Sequence, residues 1–105
     1  MIREFRLDDW RVQPQFHQLV GPSGTISVEP RSMEVLVCLA EQAGEVVTRE
    51  ELLQAVWGES FVTEEVLTHA IYDLRRALSD DPRNPRFIQT VRSAGYMFKG
   101  PEDEQ

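Results

Sequence analysis

Thr63-Glu64-Glu65-Val66-Leu67-Thr68-His69-Ala70-Ile71-Tyr72-Asp73-Leu74-Arg75-Arg76-Ala77-Leu78-Ser79 is the most strongly patterned stretch of the chain. Leu67, Ala70, Ile71, Leu74, Ala77 and Leu78 fall at helical spacing, so one stripe of an α-helix is apolar. Thr63 fits the N-cap, where a hydroxyl accepts an otherwise unpaired backbone N–H. Ser79-Asp80-Asp81-Pro82 stops the helix, since the proline ring cannot continue it. With the leucines turned inward, the opposite face presents Glu65, Thr68, His69, Tyr72, Asp73, Arg75 and Arg76.

Downstream, Phe87-Ile88-Gln89-Thr90-Val91 is rich in β-formers, Arg92-Ser93-Ala94-Gly95 reads as a turn, and Tyr96-Met97-Phe98 returns. That is a hairpin over residues 87–98, with Gly95 expected at a positive-φ turn position and Tyr96 packed beneath it. Upstream, Thr48 and Glu51 make a capping box for a second helix. Its inner face is Leu52, Leu53, Val56 and Trp57, and Gly58 ends it. A brief extended piece, Val46-Val47, precedes it. Before that, Pro30 suits the first position of another helix. Met33, Leu36, Val37 and Ala40 would face inward, and Gly44 would close it. Residues 2–29 alternate apolar and polar positions around the turn Gly21-Pro22-Ser23-Gly24, which predicts four short antiparallel strands. Trp10 and Trp57 are read as core.

The predicted class is therefore α+β: a winged helix-turn-helix with an N-terminal four-stranded antiparallel sheet, three helices and a C-terminal β-hairpin wing. One domain over residues 1–99 fits a chain of 105 residues, with 100–105 a polar tail or the start of a linker. In this layout the last helix enters the major groove of duplex DNA, here residues 63–79. The wing, 87–98, then lies on the backbone or in the minor groove.

Composition narrows the function classes. No run approaches the ~18 apolar residues of a membrane span, and the charged opening Met1-Ile2-Arg3-Glu4 does not resemble a signal peptide. Cys38 is the sole cysteine, read as a buried small hydrophobe in a cytoplasmic protein. His17 and His69 have no metal-ligand spacing, so no metal or other cofactor is expected. No Ser-His-Asp set, paired catalytic carboxylates or phosphate loop can be assembled, which sets enzymes aside. The net charge of −7 argues against a phosphate partner, but the acids are unevenly placed. Residues 1–62 hold five Arg against ten Asp and Glu, whereas 63–99 hold six basic residues against five acidic ones.

Three stretches resemble the output domains of the OmpR/PhoB family. Thr48-Arg49-Glu50-Glu51-Leu52-Leu53-Gln54-Ala55-Val56-Trp57 is similar to their second helix, Leu74-Arg75-Arg76-Ala77-Leu78 to the end of their recognition helix, and Ile88-Gln89-Thr90-Val91-Arg92-Ser93-Ala94-Gly95-Tyr96 to their wing. Phe5–Val12, Val62–Thr68 and Asp80–Ile88 resemble the CadC/ToxR-like branch. The resemblance implies the sequence-reading domain of a bacterial transcription regulator. It also implies a domain at the N-terminus of a longer protein that carries a transmembrane sensor in the inner membrane, which agrees with a start at Met1 and no receiver domain before it.

On that reading Thr68, His69 and Tyr72 lie near base edges, and Arg76 leads the phosphate contacts. Arg75 joins it, or else Arg75 and Arg76 simply pair with Asp73, Asp80 or Asp81 on a solvated face. Tyr72 alternatively packs against the wing. Arg92 reaches the backbone or minor groove, Thr90 and Ser93 donate to phosphate, and Arg49 sits near a helix N-terminus that favours anions. The loop Gly58-Glu59-Ser60-Phe61-Val62 corresponds to the family's RNA polymerase contact, although Phe61 is read first as a core plug. Ala70, Tyr72 and Asp73 replace arginines found in phosphate-regulated relatives, so no base preference carries over. Homodimers on repeated half-sites are expected, because few basic groups can meet phosphates. The competing reading is a winged-helix protein-interaction module that has lost DNA binding, favoured by the acidic charge and opposed by Arg76 and Arg92.

Overall fold

Short apolar-polar alternation and tight turns build the first layer. In the computed structural model, which describes residues 3–58 and 60–99, β1 (Phe5–Leu7), β2 (Trp10–Gln13), β3 (Gln18–Gly21) and β4 (Gly24–Ser27) form an antiparallel meander in chain order. Val12 stands opposite both Phe5 and Leu19, and Leu7, Val12 and Leu19 are fully buried on one face. A single 3-10 turn, Pro14–Phe16, joins β2 to β3 and ends on His17 in the left-handed region. The Trp10 indole lies across Gly21 so closely that a β-carbon there would sit 2.5 Å from the ring. Trp10 and Trp57 are thus half-buried against the core, not enclosed in it.

Helix α1 (Pro30–Glu41) starts on its proline, as expected. Its inner face is rotated from the sequence reading: Met33 and Leu36 are buried, but so are Val35 and Leu39, while Val37 and Ala40 lie at the rim. The helix touches α2, α3 and the last strand at once, so its contacts select a wider stripe than one groove would. Gly44 does not close α1, which has ended at Glu41. It takes φ +84° in the turn beyond, and its N–H donates to the Phe98 carbonyl at 3.0 Å.

β5 (Val46–Thr48) leads directly into α2 (Arg49–Trp57) through the capping box: Thr48 N–H donates to Glu51 Oε1 at 2.9 Å and Glu51 N–H to Thr48 Oγ1 at 3.0 Å. Gly58 ends α2 at φ +63°. Helix α3 (Glu64–Leu78) is capped by Thr63, whose hydroxyl accepts Glu65 N–H. Its terminator is Ser79 in the left-handed region, with φ 57°, so the helix has stopped before Pro82 is reached. Leu67, Ala70, Ile71, Leu74 and Leu78 are buried, and Ala77 is half-buried, as the periodicity predicts.

The hairpin strands β6 (Ile88–Val91) and β7 (Gly95–Phe98) are joined by β5 in a second sheet with β7 at its centre. Gly95 is not the positive-φ residue of the turn; Ser93 is, at φ 61°. Glycine is needed at 95 for another reason. A β-carbon there would run into the Val47 carbonyl and lie 2.8 Å from Thr48 Cα, so the side chain must be absent for β5 to pair. Tyr96 is buried, as expected. One cluster joins Leu7, Val12 and Leu19 to the helices and to Phe87, Ile88, Tyr96 and Phe98. Among the described residues no helix is long and apolar enough to cross a membrane.

Candidate nucleic-acid interface

The face of α3 turned away from this core carries Thr68, His69, Tyr72 and Arg76, all exposed, with 61% of Tyr72 accessible. Tyr72 therefore does not pack away against the wing. Thr68 Oγ1 donates back to the Glu64 carbonyl at 3.3 Å, which leaves its methyl group and oxygen lone pairs outward. His69 Nε2 stands 3.9 Å from Glu29 Oε1. Asp73 is half-buried, and its carboxylate accepts Glu29 N–H at 3.5 Å at the start of α1. The aspartate is thereby directed toward the fold, which lessens the acidity of the exposed face.

Arg49 opens α2 beside the other end of this face. Its guanidinium lies 5.4 Å from the Tyr96 ring centroid, and its Nε is 3.9 Å from Glu64 Oε1. Such an arginine is held by a ring face and a loose exposed ion pair, and exposed pairs of this kind are worth about 1 kcal/mol or less.

At the C-terminal end of α3 the two neighbouring arginines part company. Arg76 is exposed and has no ion pair among the described residues. Arg75 is half-buried, and its Nη2 donates to the Ile88 carbonyl at 2.9 Å and to Thr90 Oγ1 at 2.8 Å. Its partners lie on β6, and are none of Asp73, Asp80 or Asp81. Asp80, read in the sequence as loop or as an arginine's partner, is buried at 6% exposure, and its carboxylate accepts the backbone N–H groups of Arg86, Phe87 and Ile88. Ile88 thus has its N–H taken by Asp80 and its carbonyl by Arg75 on the open edge of the second sheet. Nothing in the local sequence marks Asp80 from Asp81; only the return of residues 86–88 past the helix end reveals it.

Beyond that anchor the wing tip is open. Thr90, Arg92 and Ser93 are exposed, and Arg92 has no ion pair among the described residues. Arg86 is engaged elsewhere, paired with Asp8 of the first sheet and lying 5.0 Å from the Phe87 ring. Lys99 Nζ donates to the Pro85 carbonyl at 3.0 Å. Between α3 and the second sheet runs a groove lined by Thr68, Tyr72, Arg76 and Tyr96.

In the loop between α2 and α3, Ser60 is exposed and its N–H donates to the Trp57 carbonyl at 3.2 Å, while Glu59 lies outside the described residues. Phe61 overturns its first reading: it is fully exposed and plugs nothing. Ser60, Phe61 and Val62 are exposed and none of them belongs to the core cluster.

Residues 23–98 match the family described as "Transcriptional regulatory protein, C terminal". The chain belongs to this family. The chain is 38% identical over 97 residues to the transcriptional activator CadC of Escherichia coli (strain K12), covering 91% of this chain and 19% of CadC. It is 46% identical over 99 residues to the transcriptional regulator HilA of Salmonella typhimurium, covering 94% of this chain and 18% of HilA. The chain thus spans less than a fifth of the length of either regulator. The E. coli CadC DNA-binding domain superposes with a TM-score of 0.80 at 37% identity, covering 91% of both chains. The Klebsiella pneumoniae RstA DNA-binding domain, solved in complex with the RstA box, superposes with a TM-score of 0.78 at 26% identity, covering 92% of this chain and 97% of that one. The OmpR/PhoB-type winged helix read from the sequence is the fold found.

Proposed function

We propose that this domain is the sequence-specific duplex-DNA-binding part of a bacterial transcription regulator. α3 enters the major groove and the wing meets the backbone or minor groove. The observation that carries this reading is the exposure of two linked elements: the α3 face of Thr68, His69, Tyr72 and Arg76, and the wing residues Thr90, Arg92 and Ser93, with α3 bonded to the wing strand through Arg75 and Thr90. An exposed threonine and tyrosine can read base edges, and unpaired arginines can meet phosphates. Arg49 contributes from the start of α2. The acidic total counts less against this than the bare charge suggests, since Asp73 and Asp80 both serve the protein's own backbone.

Further proposals concern the intact regulator. The exposed Phe61, with Ser60 beside it and Glu59 in the same loop, is a surface for RNA polymerase, and one aromatic anchor is what a protein contact needs. Two copies occupy repeated half-sites as a homodimer. The domain works in the cytoplasm, in a protein whose later part carries a transmembrane sensor.

The decisive test is a titration of isotope-labelled domain with a mixed-sequence duplex of about two helical turns at low salt. Non-specific binding of roughly 10⁻⁴ to 10⁻⁶ M is visible without knowing the operator. Shifts gathered at Thr68, Tyr72, Arg76 and Arg92 and fading with salt are the expected result. A folded protein with no shifts overturns the reading and leaves a protein-interaction module.

A further inference from the structure

Arg75 occupies an unusual position for a cation beside a nucleic-acid interface. Its guanidinium is spent within the fold, donating to Ile88 O and Thr90 Oγ1, and its Nε is buried with no partner. Both acceptors lie on β6, whose outer edge no strand covers among the described residues. Thr90 is two residues from Arg92, and the intervening backbone at Val91 pairs with Gly95. The arginine therefore spans from α3 to a strand residue two positions before Arg92 at the wing tip. A hydroxyl that accepts from a guanidinium keeps its own hydrogen free to donate, and Thr90 is exposed.

We infer that Arg75 is a positioning residue: it touches no DNA but fixes the wing relative to α3, so that Arg92 and the Thr90 hydroxyl meet the phosphate backbone while α3 is in the groove. The inference rests on the DNA-binding reading above. The bond to Ile88 O sets the distance between helix and strand, and the bond to Thr90 Oγ1 sets the direction of the strand leading to the turn. Both bonds leave one nitrogen, Nη2, which the rigid planar guanidinium holds between the two acceptors, whereas a lysine ammonium on a flexible stem is not held there. Preorganisation of this kind raises affinity by removing the cost of ordering the wing on binding.

A double-mutant cycle separates this role from a direct phosphate contact. Arg75→Lys, Thr90→Val and Arg92→Ala are each measured alone, and the first two also in the Arg92→Ala background, by titrating the same duplex at several salt concentrations. Arg75→Lys keeps the charge, so a phosphate contact would survive it. Positioning predicts that it weakens binding about fivefold with Arg92 present and less than twofold without it. The slope of log K against log salt should fall by about 0.9 on Arg75→Lys, through loss of the Arg92 contact, and no further in the double variant. Thr90→Val, which removes half of the clamp at an exposed position, should couple to Arg92→Ala in the same sense. If Arg75→Lys fails to fold, the Thr90→Val cycle decides. Arg75→Lys binding like the parent, or effects that simply multiply with Arg92→Ala, overturns the inference while leaving DNA binding intact. No binding by the parent chain overturns the DNA reading itself.

Discussion

The Asp80 carboxylate accepts the backbone N–H of Ile88 at 3.0 Å, joining the end of α3 to the open edge of the second sheet. The same side chain serves Arg86 N–H at 2.7 Å and Phe87 N–H at 3.3 Å. These three donors lie where the chain turns into β6 and have no ladder partner on that side. A buried carboxylate is the acceptor with enough lone pairs for all of them. The wing is thus attached to α3 by two ionic side chains, Asp80 and Arg75, and by the burial of Phe87 and Ile88.

Asp80→Ala should therefore be among the most damaging single changes outside the apolar core. Hydrogen bonds to a charged acceptor are worth about 1.5–3 kcal/mol, and the N–H groups would be left buried and unpaired. We expect a loss of about 3 kcal/mol, read as a lower urea midpoint at unchanged slope. Asp81→Ala, one residue on, is exposed and caps only Arg83 N–H, so its cost should stay below about 1 kcal/mol.

The two ends of the wing turn make opposite predictions. Ser93 holds φ 61°, a conformation that costs a non-glycine residue about 1 kcal/mol, so Ser93→Gly should be neutral or stabilising by up to about that amount. Gly95→Ala places a methyl group against the Val47 carbonyl, where backbone must give way. It should separate β5 from β7 and lower the melting temperature steeply. Thermal unfolding followed by circular dichroism checks both. Equal effects at the two positions would refute the assignment of the tight contact to Gly95.

Much of this fold is legible in the residues because local and tertiary preferences agree. The capping box of Thr48 and Glu51, the N-cap of Thr63 and the leucine stripe of α3 are local features, and each appears where the spacing puts it. The errors occur where a distant segment decides. Gly95 is glycine because β5 arrives beside it, the inner stripe of α1 is set by several neighbours at once, and Phe61 is exposed outside the core cluster. For the candidate interface, the exposed face of α3 follows from its periodicity. The division of labour between Arg75 and Arg76 does not, since neighbouring arginines look alike until β6 is placed beside one of them.

Salt dependence should sort the basic residues by their present partners. Arg76→Ala and Arg92→Ala should each weaken non-specific duplex binding and lower the salt slope by about 0.9. Arg86→Ala should leave the slope unchanged, because its guanidinium already pairs with Asp8. A slope that falls equally for all three would mean that the first-sheet side of the domain also faces the duplex.

Cys38 should be a sluggish thiol. It is half-buried on α1, and burial first, then the charges of Glu41 and Glu51, raises its pKa above the ordinary thiol value. Because the neutral form is the one favoured in the fold, little thiolate is present at neutral pH. Alkylation should be slower than that of a free cysteine and should quicken as pH rises past the ordinary thiol range. Alkylation at the free-thiol rate near neutral pH in the folded protein would contradict this placement.

Phe61→Ser tests the exposed loop by what it should leave untouched. A phenylalanine plugging the core would cost about 3–5 kcal/mol on truncation, because burial is lost and a cavity remains. Phe61 buries nothing in the isolated domain, so its replacement should change stability by less than about 0.5 kcal/mol. Duplex affinity should also stay at the parent value, since the loop carries neither the α3 face nor the wing. If the loop meets RNA polymerase, the same variant in the intact regulator should lose transcription activation at a promoter it still occupies. Stability and DNA binding kept with activation lost is the combination expected. A loss of stability would restore the core-plug reading, and activation retained in full would remove the polymerase proposal.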